Sequence, residues 1–128
     1  MCNHASHVLY VFQVKGADKG KVKKEVTVEL SKMLEDLESG VKGGNKVLEK
    51  ISDCSKKGTF EKHKLALEDA IEMSEKDKAE VSYAVKYNKL LDGSTLTLSL
   101  AQSLQQRSCA HLQDVQDNGK IARSLSKE

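Results

Sequence analysis

Not one proline interrupts this chain of 128 residues, and that absence constrains the fold more than anything the chain contains. A proline inside a helix removes a backbone hydrogen bond and collides with the preceding turn, so a chain without one can stay helical over long stretches. Glycine weakens helix interiors, and here it falls between stretches whose apolar residues recur every three or four positions. Together these features predict an all-α fold, a compact bundle of about four to six helices forming a single helical domain over 1–128 with short polar termini.

A chain near this length can bury about 70% of its unfolded surface, enough for one core. That core must be aliphatic, because there is no tryptophan and only two phenylalanines, Phe12 and Phe60. With so little aromatic mass to bury, a disulfide or a partner gains importance. The 21 basic residues nearly cancel the 19 acidic ones and are interspersed with them. Nearly all are lysines, the arginines being Arg107 and Arg123, whereas recognition of phosphates and base edges favours the arginine fork. This argues against specific nucleic-acid binding. No apolar run approaches the ~20 residues of a transmembrane helix; the longest, Val8 to Phe12, reads as a short core segment of a soluble chain.

Along the chain, Asn3 or Ser6 can cap a short helix bearing Ala5, Val8, Leu9 and Phe12, ended by Gly16, although the β-branched and aromatic residues within 8–14 suit a strand equally well. Asp18 can cap a helix with Val22, Val26, Leu30, Met33, Leu34 and Leu37 on one stripe, ending at Gly40. Gly43, Gly44 and Asn45 then punctuate the chain before Val47, Leu48, Ile51 and Cys54 resume the stripe, and Lys56, Lys57 and Gly58 suit a helix exit. Thr59 is a cap for Phe60, Leu67, Ala70 and Ile71. Ser74 followed by Asp77 resembles a capping box that would restart the helix, one long helix being the other possibility. Val81, Ala84, Val85 and Leu91 follow, closed by Asp92-Gly93. Residues 95–100 alternate like a strand, but Leu100, Ala101, Leu104, Leu112 and Val115 keep helical spacing, which predicts a helix from about Thr95 to Gln116. Asn118-Gly119 should then turn into a tail anchored by Ile121 and Leu125. The expected core is Leu30, Met33, Leu37, Leu48, Ile51, Leu67, Ile71, Val85, Leu104 and Leu112.

Chemistry-bearing constellations are sparse. Cys2-Asn3-His4, with His7 nearby, would offer nitrogen donors to Cu(II) or Ni(II) if Met1 were removed, but such triplets arise readily by chance, and no metal site is assigned. Cys109-Ala110-His111 places a thiol near an imidazole, yet residues two apart on a helix face different ways, which predicts a buried Cys109 beside a solvated His111. His63 reads as part of a half-exposed helix face. Gly40 to Gly44 lacks the Lys-Ser/Thr step of a phosphate loop. No catalytic set assembles, and neither a cofactor nor an enzymatic activity is expected.

The remaining features point to binding. Lys15, Lys19, Lys21, Lys23 and Lys24 form the densest basic patch, suited to an acidic partner protein or an anionic membrane surface, or to a solvated helix start. Tyr83 and Tyr87 lie one helical turn apart, and tyrosine is favoured at interface hot spots. Cys2, Cys54 and Cys109 are disulfide candidates, either a bridge from Cys2 to Cys54 or Cys109 that anchors the polar start or one joining Cys54 to Cys109 across two apolar stripes, and cysteine usage leans toward a secreted setting over a cytoplasmic one. Met1 itself fits a natural start or an initiator added to a mature secreted chain. The sequence therefore predicts a non-enzymatic module that binds a protein partner, such as a small secreted effector or inhibitor. The alternative is a helical carrier of an apolar small ligand.

Overall fold

The computed structural model describes residues 19–51, 58–87 and 91–126, and within them the chain forms three helices and no strand. These are α1, Lys19–Ile51, α2, Gly58–Tyr87, and α3, Thr95–Ser126. Short connections force consecutive helices to run antiparallel, which leaves α1 and α3 parallel. The core records this arrangement. One cluster joins Val22, Val26, Leu30, Met33 and Leu37 of α1 to Val81 and Ala84 of α2 and Leu98 and Ala101 of α3. A second joins Val41 and Ile51 to Phe60, Leu67 and Ile71 and to Val115 and Ala122 at the other end.

Three helices are fewer than the sequence predicts, because three of the expected breaks, at Gly40 to Gly44, at Ser74 and at Asn118-Gly119, are bridged. In α1 the backbone runs helically through Gly40, Gly43 and Gly44. A glycine costs a helix interior about 1 kcal/mol relative to alanine, but here two of the three permit close packing. A Cβ on Gly40 would lie 2.3 Å from Leu112 Cδ2, and one on Gly44 would lie 2.9 Å from Ile71 Cδ1 and 3.0 Å from Val115 Cγ1. Ser74 and Asp77 do not restart a helix in α2; both are buried in its interior. Asn118-Gly119 does not turn the chain either. Asn118 donates from Nδ2 to the Asp114 carbonyl at 2.9 Å, its Oδ1 lies 2.9 Å from His63 Nδ1, and α3 continues.

The Asp92-Gly93 break is real. Gly93 has φ of 80°, the left-handed region in which glycine avoids the Cβ clash. Ser94 then caps α3, accepting from Thr97 N at 3.3 Å through Oγ, while its carbonyl accepts the first helical bond from Leu98 N at 3.2 Å. Thr97 reaches back to accept from Asp92 N at 2.9 Å, and the Asp92 carboxylate accepts from the Ser94 amide at 2.9 Å and from the hydroxyls of both Ser94 and Thr97. Those hydrogen bonds, led by the Ser94 hydroxyl, hold the Asp92 carboxyl well below the usual carboxylate range. Residues 95–100 are helical, as the spacing rather than the alternation implies.

Of the expected core, Leu30, Met33, Leu37, Ile51, Leu67 and Ile71 are buried. Leu48, Val85 and Leu112 are half-buried flanks packed against the clusters, and Leu104 is half-buried beside a groove. The first expected element, including 8–14, lies outside the described residues.

Candidate functional site

Between the two apolar clusters the bundle carries a polar layer. Ser74 and Asp77 from α2 and Gln105 and Ser108 from α3 are all buried. The spacing explains how they come to be there. Buried positions on α2 include 70, 74, 77, 81 and 84, and on α3 the series 98, 101, 105, 108, 115, 119 and 122 is completed by half-buried 112, an alternation of three- and four-residue steps that faces a helix seam toward its neighbours. Polar residues occupy the middle of that seam.

Asp77 is the hub. Its side chain is 4% exposed, and a buried carboxylate requires partners. Arg107 Nε donates to Asp77 Oδ1 at 3.0 Å, and His111 Nδ1 lies 2.5 Å from Oδ2. Arg107 also donates from Nη2 to Glu80 on the α2 surface. The Glu80 carboxylate, followed by Asp77, raises the guanidinium above its ordinary range against the opposing effect of burial. His111 is therefore paired and mostly buried, a correction to the solvated imidazole expected from sequence. It does face away from Cys109, which borders a different groove. Ser74 Oγ, Ser108 Oγ and both polar atoms of Gln105 are buried without a hydrogen-bond partner.

A carboxylate that orients an imidazole is one part of an acid–base relay, and a relay also requires a nucleophile facing the second ring nitrogen. Among the described residues no hydroxyl or thiol is bonded to His111, and no group of three or more His, Cys, Asp or Glu is gathered for a metal ion. The clear action of the network is to tie α3 to α2.

Two grooves flank α3. The first, about 450 Å³ and mostly apolar, lies against α2 and is lined by Ala79, Glu80, Tyr83, Leu100, Leu104 and Arg107. The rings of Tyr83 and Tyr87 are 4.9 Å apart and tilted by 46°, with Lys86 Nζ 5.5 Å from the Tyr87 ring centre. Tyr83 is 45% exposed, Tyr87 51% and Leu96 67%, so aromatic and aliphatic surface continues beyond the groove. The second groove, about 670 Å³, runs between α1 and α3, with Gly40, Gly43 and Gly44 on one wall and Cys109, Leu112 and Gln116 on the other.

Of the basic patch, Lys21 and Lys24 are exposed and Lys23 is half-buried near the start of α1. Lys15 lies outside the described residues, as does the side chain of Lys19. The start of α1 shares its end of the bundle with the end of α2, which places the lysines and the tyrosines at the same pole. Cys2 and Cys54 also lie outside the described residues; Cys109 is partly buried against the first cluster, and no disulfide joins two described residues. Sequence reasoning missed the Asp77, Arg107 and His111 network. Its signal was an aspartate in seam register, and an arginine in a chain that otherwise uses lysine.

No described helix is long and apolar enough to cross a membrane. No family model, no curated protein and no solved structure matches the chain.

Proposed function

We propose that the protein is a non-enzymatic helical module that binds a protein partner through the α2/α3 face centred on Tyr83. The observation that carries this reading is the juxtaposition of an apolar groove with half-exposed Tyr83, Tyr87 and Leu96. Interface hot spots combine aromatic anchors with arginine at the edge of a desolvated pocket, and Arg107 with Glu80 supplies such an edge. The lysines Lys21 and Lys24 at the same pole favour an acidic partner over a basic one. A disulfide at Cys109 and a secreted effector or inhibitor role belong to this proposal, resting on the cysteine chemistry.

The alternative, a carrier of an apolar small ligand, is favoured by the same apolar lining, but carriers enclose most of their ligand's surface, and this groove opens sideways between two helices. A photo-reactive benzoylphenylalanine in place of Tyr83 tests the choice. Capture of one protein from the native source, lost on introducing Leu104→Asp, is the expected result. Copurification of a stoichiometric lipid, seen by native mass spectrometry and lost with the same substitution, would replace the module with the carrier.

A further inference from the structure

Helix α2 carries a second stripe besides the one it buries. Asp69, Met73, Lys76, Glu80, Tyr83 and Tyr87 follow one another at alternating steps of four and three residues, and all six are exposed. They lie about 100° around the helix from buried positions 70, 74, 77, 81 and 84, on the side where Glu80 and Tyr83 line the α2/α3 groove. Such spacing presents a continuous face to another helix. We propose that the occupant is α2 of a second copy of this chain, running antiparallel about a two-fold axis. The proposal rests on the binding reading above and names the partner.

In a two-fold contact, whenever one residue meets another the reciprocal pair forms as well. With the axis level with Lys78, midway between Lys76 and Glu80, each copy sets Lys76 against Glu80 of the other, Met73 against Tyr83, and Asp69 against Tyr87. Each pair is complementary: opposite charges, a thioether against an aromatic ring, and a carboxylate against a phenol donor. A parallel pairing would instead set Lys76 on Lys76 and Glu80 on Glu80. Lys76 already lies 3.7 Å from Glu72, but that pair is exposed and an exposed ion pair contributes little, so the lysine is released at small cost.

The charge of the whole helix favours the same orientation. Residues 58–75 carry five acidic and two basic side chains, and residues 76–87 carry three basic and two acidic. Antiparallel copies lay the acidic half of one on the basic half of the other. Each also brings its acidic half toward the pole that bears Lys21 and Lys24, which supplies the acidic surface those lysines favour.

Leu96 extends the match onto α3. Asp77 bonds Arg107 and His111, so Leu96, eleven and fifteen residues before them, stands about 20 Å beyond Asp77 along the bundle. Leu65 of the second copy, thirteen residues from the axis, reaches the same level. Among the described residues Leu96 at 67% and Leu65 at 58% are the most exposed large apolar side chains, and the pairing covers one with the other.

Sedimentation equilibrium of the full chain, in reductant so that no cysteine links two copies, tests the assembly. Twice the 14.1 kDa chain mass, falling to that of one chain on dilution, is expected. A monomer at every concentration would overturn the second copy and leave the binding module standing. Lys76→Glu and Glu80→Lys each set like charges across the axis twice and should weaken association about tenfold. An equimolar mixture of the two, both folded by circular dichroism, restores opposite charges at both contacts and should dimerise like the unaltered chain; no recovery would overturn the antiparallel register. Benzoylphenylalanine at Tyr83 checks that register with the charges untouched. Crosslinks to 70–76 of a second copy are expected, and crosslinks confined to other regions would overturn it. Capture of a different protein in place of a second copy would overturn this proposal alone, whereas a monomer carrying stoichiometric lipid would overturn the binding module with it.

Discussion

Toward α1, helix α3 presents Leu112 and Val115 to Gly40 and Gly44, so that side chains on one helix fill space the other leaves open. Toward α2, it presents Arg107 and His111 to a single buried carboxylate, Asp77, with Gln105 and Ser108 beside it. The first seam is fixed by shape and tolerates little added volume. The second is fixed by charge-assisted hydrogen bonds, which are directional and demand one alignment of the two helices. Leucine meeting leucine can slide by a turn at modest cost, whereas a carboxylate drawn away from both its guanidinium and its imidazole leaves buried charge uncompensated. The same helix is thus positioned sideways by glycine and lengthwise by ions.

The sharpest way to break the comparison is to remove its ionic half. Asp77→Ala deletes both acceptors. Charge-assisted bonds contribute about 1.5–3 kcal/mol each, but Arg107 is 43% exposed and keeps Glu80, and solvent screening reduces its share. We expect a net loss of about 2–3 kcal/mol in urea unfolding, with Asp77→Asn intermediate. A loss under about half a kcal/mol would mean that the ions decorate a seam held by its apolar neighbours.

Register was the legible part of this molecule. The three- and four-residue rhythm through Val22, Val26, Leu30, Met33 and Leu37 is written in apolar residues, and that stretch is buried in a helix as the sequence predicts. The rhythm does not stop at Gly40 and Gly44, at Ser74 and Asp77, or at Gly119, but there it is carried by residues whose local preference is to end helices or cap them. Local preference amounts to about 1 kcal/mol at each position, and packing of three long helices outweighs it. Nothing in a single sequence declares which tertiary neighbour will supply that packing, so the breaks were read and the continuity was not. Tyr83 and Tyr87 stood out because aromatic residues are rare here. Asp77 did not, being one acid among 19 acidic residues.

A second change sharpens the contrast from the opposite direction. Gln105 is fully buried, and both its amide atoms lack partners, so it contributes desolvation without the bonds that Asp77 makes. Gln105→Leu removes the amide, shortens the side chain by one atom and joins the two apolar clusters. An unsatisfied buried polar group costs about 1–3 kcal/mol, so we expect stability to rise by about 1–2 kcal/mol. A loss of similar size in urea unfolding would show that the amide does find partners in solution and belongs with Asp77 in one network.

The smallest effects test the glycine seam, and they should differ in sign. Gly43 and Gly44 are adjacent in α1 and share the same helical backbone, so alanine gains about 1 kcal/mol of helix propensity at either. They differ in surroundings. Nothing lies within 4 Å of a Cβ on Gly43, whereas a Cβ on Gly44 would meet Ile71 at 2.9 Å and Val115 at 3.0 Å. Ile71 and Val115 are branched and held in the second core cluster, and forcing a carbon into a packed site costs about 1–3 kcal/mol. Gly43→Ala should therefore stabilise by about 0.5–1 kcal/mol, while Gly44→Ala should destabilise by about 1 kcal/mol once propensity is set against crowding. Because intrinsic propensity is common to both, the difference between their urea midpoints isolates the close approach of the helices. Equal gains at the two positions would show that α1 stands off from its neighbours by more than the structure has it, and that shape does not position α3.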